Sequence, residues 1–260
     1  MQQELNGKTA LVCGASQGIG AATARQLAEQ GAKVLLLARN ESELAKVRDS
    51  LPDPSNHRLL VADLAKLPQL LEQVQAALSE VGPIHILVCN SGGPKGGPLL
   101  DAKPEEFLQA FQQHVLANHL LVQMLVPGMK DAGYGRIINI ISTSVKMPIP
   151  NLGVSNTIRG AVASWAKTLA NELGPIGITV NNVLPGYTAT DRLSTLIEAT
   201  AGRLNQAKDK VEHDWKMSVP LRRFAKPEET AQAVGYLASP AGAYINGINL
   251  PVDGGRLGCL

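Results

Sequence analysis

The sequence predicts a single doubly wound α/β domain over residues 1–260, with a parallel sheet of about seven strands covered by helices on both faces. Three observations carry this. Short apolar runs alternate with helical patterns from one end of the chain to the other, the signature of repeated strand–helix–strand units. Hydrophobic residues make up 45% of the chain but aromatic ones only 3%, so the interior is built from Leu, Val, Ile and Ala, as strands buried on both faces require. No shift in composition, low-complexity segment or short-period repeat divides the chain.

The elements follow in order. Thr9–Cys13 is a strand-length apolar run, succeeded by a helical pattern over Ile19–Gln30. Val34–Ala38, Leu59–Val61 and Ile84–Asn90 read as the next strands, separated by helices at Glu41–Leu51 and Leu67–Val81. The second half continues with one long helix from about Pro104 to Lys130, a strand at Arg136–Ser142, a helix near Ser155–Leu173 and a strand at Ile178–Leu184. A helix at Pro227–Leu237 and a strand at Ile248–Val252 close the sequence of elements. One segment breaks the rhythm. After Pro185-Gly186, residues 191–218 are rich in Ala, Leu, Lys and Glu and follow a strand end, the ligand side of such sheets. They read as a mobile helical lid over a substrate, or as a solvated insertion.

Charge narrows the partners. The 24 basic residues nearly balance 22 acidic ones, for a net charge of +2 with no basic block, which gives no electrostatic case for nucleic acid or an anionic membrane. A small molecule is the default partner. The first residues carry no basic segment followed by an apolar run, and no stretch approaches the ~18 apolar residues of a membrane span; a soluble cytoplasmic protein is expected. Cys13, Cys89 and Cys259 are odd in number and lack metal-ligand spacing, so neither a disulfide framework nor a metal site is expected. Cys13 and Cys89 end two strands and read as buried small hydrophobes, or as a nearby redox pair.

Directly after the first strand comes Gly14-Ala15-Ser16-Gln17-Gly18-Ile19-Gly20. Glycines there allow a tight turn and close backbone approach to a pyrophosphate resting on the helix N-terminus. A dinucleotide fits this, although an S-adenosylmethionine site can begin similarly. The end of the second strand, Leu37-Ala38-Arg39-Asn40, has Arg39 where an acid would accept from a ribose 2′-hydroxyl. A guanidinium suits a 2′-phosphate instead, so NADP(H) is preferred over NAD(H) unless Arg39 is an ordinary loop residue. Asp63, followed by Leu64 after the third strand, either accepts from an adenine amino group or caps a helix.

These motifs, in their order, make the chain resemble the short-chain dehydrogenase/reductase family over essentially its full length, with the character of 3-oxoacyl-[acyl-carrier-protein] reductases. The resemblance rests on Cys13-Gly14-Ala15-Ser16-Gln17-Gly18-Ile19-Gly20, Cys89-Asn90-Ser91-Gly92, Ser142, Pro185-Gly186-Tyr187-Thr188-Ala189-Thr190 and Val252-Asp253-Gly254-Gly255. It implies a Rossmann-type fold, with Asn90, Ser91 and Gly92 around the adenosine ribose and Pro185, Gly186 and Thr188 at the nicotinamide amide. It also implies a homodimer or homotetramer, in which helices 104–130 and 155–173 pair between subunits.

The family's catalytic set is Asn, Ser, Tyr and Lys, and this chain keeps one of the four. Ser142 falls on the serine, His114 on the asparagine, Ser155 on the tyrosine and Arg159 on the lysine. A serine hydroxyl is a far weaker acid than a tyrosine of reference pKa ~10, and its oxygen ends roughly 4 Å short of a tyrosine's. Arg159 keeps a charge that can hold ribose hydroxyls but does not release a proton near neutrality. His114, of reference pKa ~6.5, is the natural substitute acid or a packing residue. Lys146, in the loop after Ser142, is another candidate or a solvated loop position. The glycine-rich segment Gly92–Pro98 either borders the substrate cleft or is a plain surface turn.

Two readings follow. In one, the protein reduces a carbonyl or oxidises a secondary alcohol with NADP(H): Ser142 polarises the carbonyl, Arg159 fixes the ribose, and a proton arrives through water at Ser155 or from His114. In the other, it binds the nucleotide with little or no turnover and serves as a sensor or partner subunit.

Overall fold

A computed structural model describes residues 4–259. Seven strands form one parallel sheet: β1 (Thr9–Cys13), β2 (Lys33–Ala38), β3 (Arg58–Val61), β4 (Ile86–Cys89), β5 (Gly135–Ile140), β6 (Ile178–Pro185) and β7 (Asn249–Val252), in the order β3-β2-β1-β4-β5-β6-β7. The chain winds outward in one direction through β1, β2 and β3, then returns to place β4 on the other side of β1. At that reversal the connections diverge and open a crevice at the carboxyl ends of the strands.

The central strands are apolar throughout because both faces are covered. Leu11 and Cys13 of β1 and Leu35 and Leu37 of β2 face one core, shared with α3 (Leu67–Val81), α5 (Ala117–Asp131) and α6 (Gly153–Leu173). Ala10, Val12, Val34 and Leu36 face the other, shared with α1 (Gly18–Glu29), α2 (Glu41–Asp49) and α9 (Pro227–Ala238). The two sets alternate residue by residue, as the period of a strand demands. Cys13 and Cys89 are buried free thiols in this core; burial pushes Cys13 up to about 12, so neither is a thiolate nucleophile.

The structure departs from the expected helix over 104–130. It divides into α4 (Pro104–Phe111), a π-helical turn over Gln112–Leu116 and α5. The widened turn carries His114, which is 2% exposed, and π-turns inside helices occur disproportionately at functional sites. No single-residue helix breaker marks it in the sequence.

Residues 191–218 form two helices, α7 (Asp191–Leu204) and α8 (Lys208–Met217). They bury Leu193, Ile197, Ala201 and Val211 in a small core of their own, roofed by Trp215 stacked on Tyr187 at 4.7 Å. The base of the excursion is pinned: Ala189 N–H donates to the Ala225 carbonyl, and Ala225 N–H to that of Tyr187, both at 2.8 Å. No helix among the described residues is long and apolar enough to cross a membrane.

Candidate active site

The turn between β1 and α1 is built on contacts that exclude side chains. Gly14 has φ +62°, a left-handed backbone conformation that glycine adopts without strain. A Cβ on Gly20 would overlap the Gly14 carbonyl oxygen. Asn90, at the end of β4, closes this junction by donating from its carboxamide to the Cys13 and Gly14 carbonyls, each at 3.3 Å. Gln17 opens α1 without a side-chain cap, and the first turn has no acidic residue. Its amide N–H groups and the positive end of the helix dipole are thus left for an anion.

Arg39 is exposed at the end of β2 and forms no ion pair among the described residues. It borders an open recess with Asn40, Glu41 and Ser42, and Asn40 caps α2 by accepting from Glu43 N–H. Asp63 accepts from Ala65 N–H at 2.9 Å, a local turn bond that leaves the start of α3 uncapped, and Leu64 packs in the core. Ser16 is half-buried and Ile19 packs against the second core. The donor set of the turn and the uncapped helix thus fit the anionic diphosphate of a nicotinamide dinucleotide.

At the other end of the crevice, Ser142 follows β5 and accepts from Ser144 N–H at 3.0 Å. Because its oxygen serves as an acceptor there, its own O–H remains to donate elsewhere. Ser155 and Arg159 stand one turn apart on α6, on the same face. Both are buried, at 9% and 8% exposure. Ser155 forms no side-chain hydrogen bond, whereas Arg159 donates from Nη1 to the Ile140 carbonyl at 3.1 Å. Burial, reinforced by the charge of Arg192, lowers Arg159 to about 10; it remains a cation at neutrality.

His114 lies across from these groups. Its Nδ1 meets the Ser91 hydroxyl at 2.7 Å, so Ser91 engages this ring. Burial, with the charge of Arg159 adding to it, lowers His114 to about 3. At that value His114 is a neutral imidazole at physiological pH. Lys146 is exposed in its loop.

The nicotinamide-side loop is held from behind. Thr188 is buried and donates to the Gly186 carbonyl at 3.3 Å, while a Cβ on Gly186 would meet Asp253 at 2.7 Å. Asp253 in turn accepts from Gly255 and Leu257 N–H, which explains why Asp253-Gly254-Gly255 lies far along the chain yet serves this loop. Pro185 ends β6 half-buried beside it.

Sequence reasoning missed one group. Arg192, in the first turn of α7, donates from Nη2 to the Pro94 carbonyl at 2.7 Å and so bridges α7 to the Gly92–Pro98 segment. A cation in the first turn of a helix opposes the dipole; that was the available signal.

Residues 14–256 match the family model described as enoyl-(acyl carrier protein) reductase. The chain is 36% identical over 255 residues to a 3-oxoacyl-[acyl-carrier-protein] reductase of Vibrio cholerae, covering 96% of this chain and 98% of that protein. It is 30% identical over 254 residues to an NADPH-dependent reductase of Bacillus subtilis, with 96% and 98% covered. The crystal structure of L-sorbose reductase from Gluconobacter frateurii, complexed with NADPH and L-sorbose, superposes with a TM-score of 0.92 at 30% identity over the whole of both chains. The chain belongs to the short-chain dehydrogenase/reductase family of oxidoreductases.

The His114 environment has a pH signature. Below its ordinary value of 6.5, the unfolded chain takes up a proton that the folded protein refuses until about pH 3. Stability therefore falls as pH drops through that window. In urea titrations, His114→Gln is expected to lose less stability between pH 6.5 and 4 than the parent; identical slopes would show that His114 is not held neutral.

Proposed function

We propose that the protein is an NADP(H)-dependent oxidoreductase that reduces a carbonyl or oxidises a secondary alcohol on a small molecule. The observation that carries this is that the uncapped α1 terminus and Arg39 follow the carboxyl ends of β1 and β2 while Ser142 follows that of β5 in the same parallel sheet, with Arg159 bonded to the Ile140 carbonyl there. Similarity to NADPH-dependent and 3-oxoacyl reductases supports it.

Gly14, Ser16, Gln17, Gly18, Ile19 and Gly20 hold the pyrophosphate, Arg39 with Asn40 the 2′-phosphate, and Asp63 and Leu64 the adenine side. Asn90 and Gly92 border the ribose; Pro185, Gly186 and Thr188 border the nicotinamide. A bound nicotinamide supplies or accepts the hydride. Ser142 donates its free O–H to the substrate oxygen, and Arg159 holds ribose hydroxyls with a charge that never leaves it. Ser155 passes a proton from water across the space a tyrosine would fill. Unassisted proton transfer costs a factor of roughly 10²–10⁴, so turnover is slow relative to relatives with the full set. Residues 191–218 close over the substrate.

The neutral His114 and the buried Ser155 hydroxyl also favour a second reading, a nucleotide-binding sensor or partner subunit with little turnover. A fluorescence titration with NADPH and NADH, followed by a carbonyl panel in the same cuvette, separates the two: binding with oxidation supports the enzyme, binding without it the sensor.

Arg39→Gln is expected to weaken NADPH at least roughly tenfold, in line with loss of a charge-assisted hydrogen bond of about 1.5–3 kcal/mol, and to leave NADH unchanged; equal effects on both would remove Arg39 from the 2′-phosphate. Ser142→Ala should lower turnover by roughly 10²-fold or more with NADPH affinity retained, and an unchanged rate would reject its role. Self-association through the 104–131 and 153–173 helices accords with the exposed side chains of Leu108 and Phe111 on α4. Light scattering at micromolar concentration should give a dimer or tetramer, and a clean monomer would dismiss the idea.

A further inference from the structure

Arg159 and Arg192 converge on one point. A Cβ built on Gly93 would lie 3.2 Å from Nη2 of Arg192 and 3.9 Å from Nη2 of Arg159, so two guanidinium tips flank the space that this glycine leaves open. No carboxylate comes within 4.0 Å of either among the described residues. Arg159 is more than nine-tenths buried. Of its five N–H donors, the only one bonded among the described residues is on Nη1, held by the Ile140 carbonyl; Nη2 faces Gly93 with no partner among them. A buried cation without an acid is costly, and a second cation beside it raises that cost. The mutual repulsion is felt, since Arg192 is among the causes that lower Arg159.

The missing element is an anion. A carboxylate presents two oxygens to a guanidinium fork with matched geometry, and here two forks approach one point from different elements, α6 and the lid helix α7. Arg192 already spends one bond on a neutral acceptor, the Pro94 carbonyl, which a charged oxygen can replace at little cost. Arg159 is tied to Ile140, two residues before Ser142, so an anion it holds lies beside the strand end that carries the carbonyl-polarising serine.

We propose that the substrate of this cleft is a carbonyl compound bearing a free carboxylate, clamped between Arg159 and Arg192 beside Gly93. The proposal rests on the reading of the cleft as a carbonyl site and adds its substrate class. It also gives the lid a reason to close, because one half of the clamp rides on it.

The other source of anionic oxygen is the diphosphate of the nucleotide, and the test separates the two. Calorimetric titrations would use oxamate, an inert oxo-acid mimic, and its neutral diamide, oxamide, on protein loaded with NADP⁺ and on nucleotide-free protein. The proteins are the parent, Arg192→Gln and Arg192→Lys, each checked for an unchanged melting profile. Oxamate is expected to bind loaded parent protein at least tenfold more tightly than oxamide does. Arg192→Gln should weaken oxamate at least tenfold, Arg192→Lys should recover part of the loss, and NADP⁺ affinity should stay within twofold. Equal binding of oxamate and oxamide, no oxamate binding to loaded protein, or an unaltered affinity in Arg192→Gln would overturn the proposal. So would competition of oxamate with NADP⁺ together with matched losses of both in Arg192→Gln, which would give the clamp to the diphosphate. Failure of NADP⁺ to bind any of the proteins would instead overturn the cofactor assignment, and the nucleotide-free titrations would still decide the anion site.

Discussion

The junction of Gly14, Gly20 and Asn90 is the constraint on which the rest of the crevice depends. At the reversal of strand order between β1 and β4, backbone must pass backbone with no side chain between, and a carboxamide must satisfy the carbonyls exposed there. Buried carbonyls left unpaired would destabilise the sheet end. Because Asn90 meets that need, the turn stays closed and the helix behind it can leave its N–H groups free. The same arrangement places β4, β5 and β6 so that Ser91, Ser142 and Pro185 end on one rim.

Electrostatics at the far end of the rim follow from Arg159. Its guanidinium fixes a buried positive charge in a plane with five donors, most of which need partners. Arg159 stays a cation at neutrality despite its burial, and its charge adds to the burial that keeps the His114 imidazole neutral. What the site retains is hydrogen-bond donation from Ser142 and a strong demand for anionic oxygen.

Residues 191–218 form a packed unit beside that cleft. Their two helices have a core of their own, and the chain before them is tied to Ala225. Arg192 crosses from this unit to the Pro94 carbonyl.

Strand identity, helix order and the glycine turn were legible in the sequence because their signals are local: apolar runs of strand length, helical periods between them, and a motif directly between a strand and a helix. His114, Ser155 and Arg159 were legible as candidates because the resemblance to the family points to their positions on two helices. The protonation state of His114 was not, because it depends on Arg159, 45 residues away in the chain, and on burial that only packing creates. The Ser91–His114 hydrogen bond and the convergence of Arg159 with Arg192 likewise join residues distant in the chain, and the π-turn has no helix breaker to mark it. By itself the sequence determined the sheet and the nucleotide end; the tertiary structure decided which groups at the far end carry charge and which face one another, because desolvation and Coulomb forces act through space rather than along the chain.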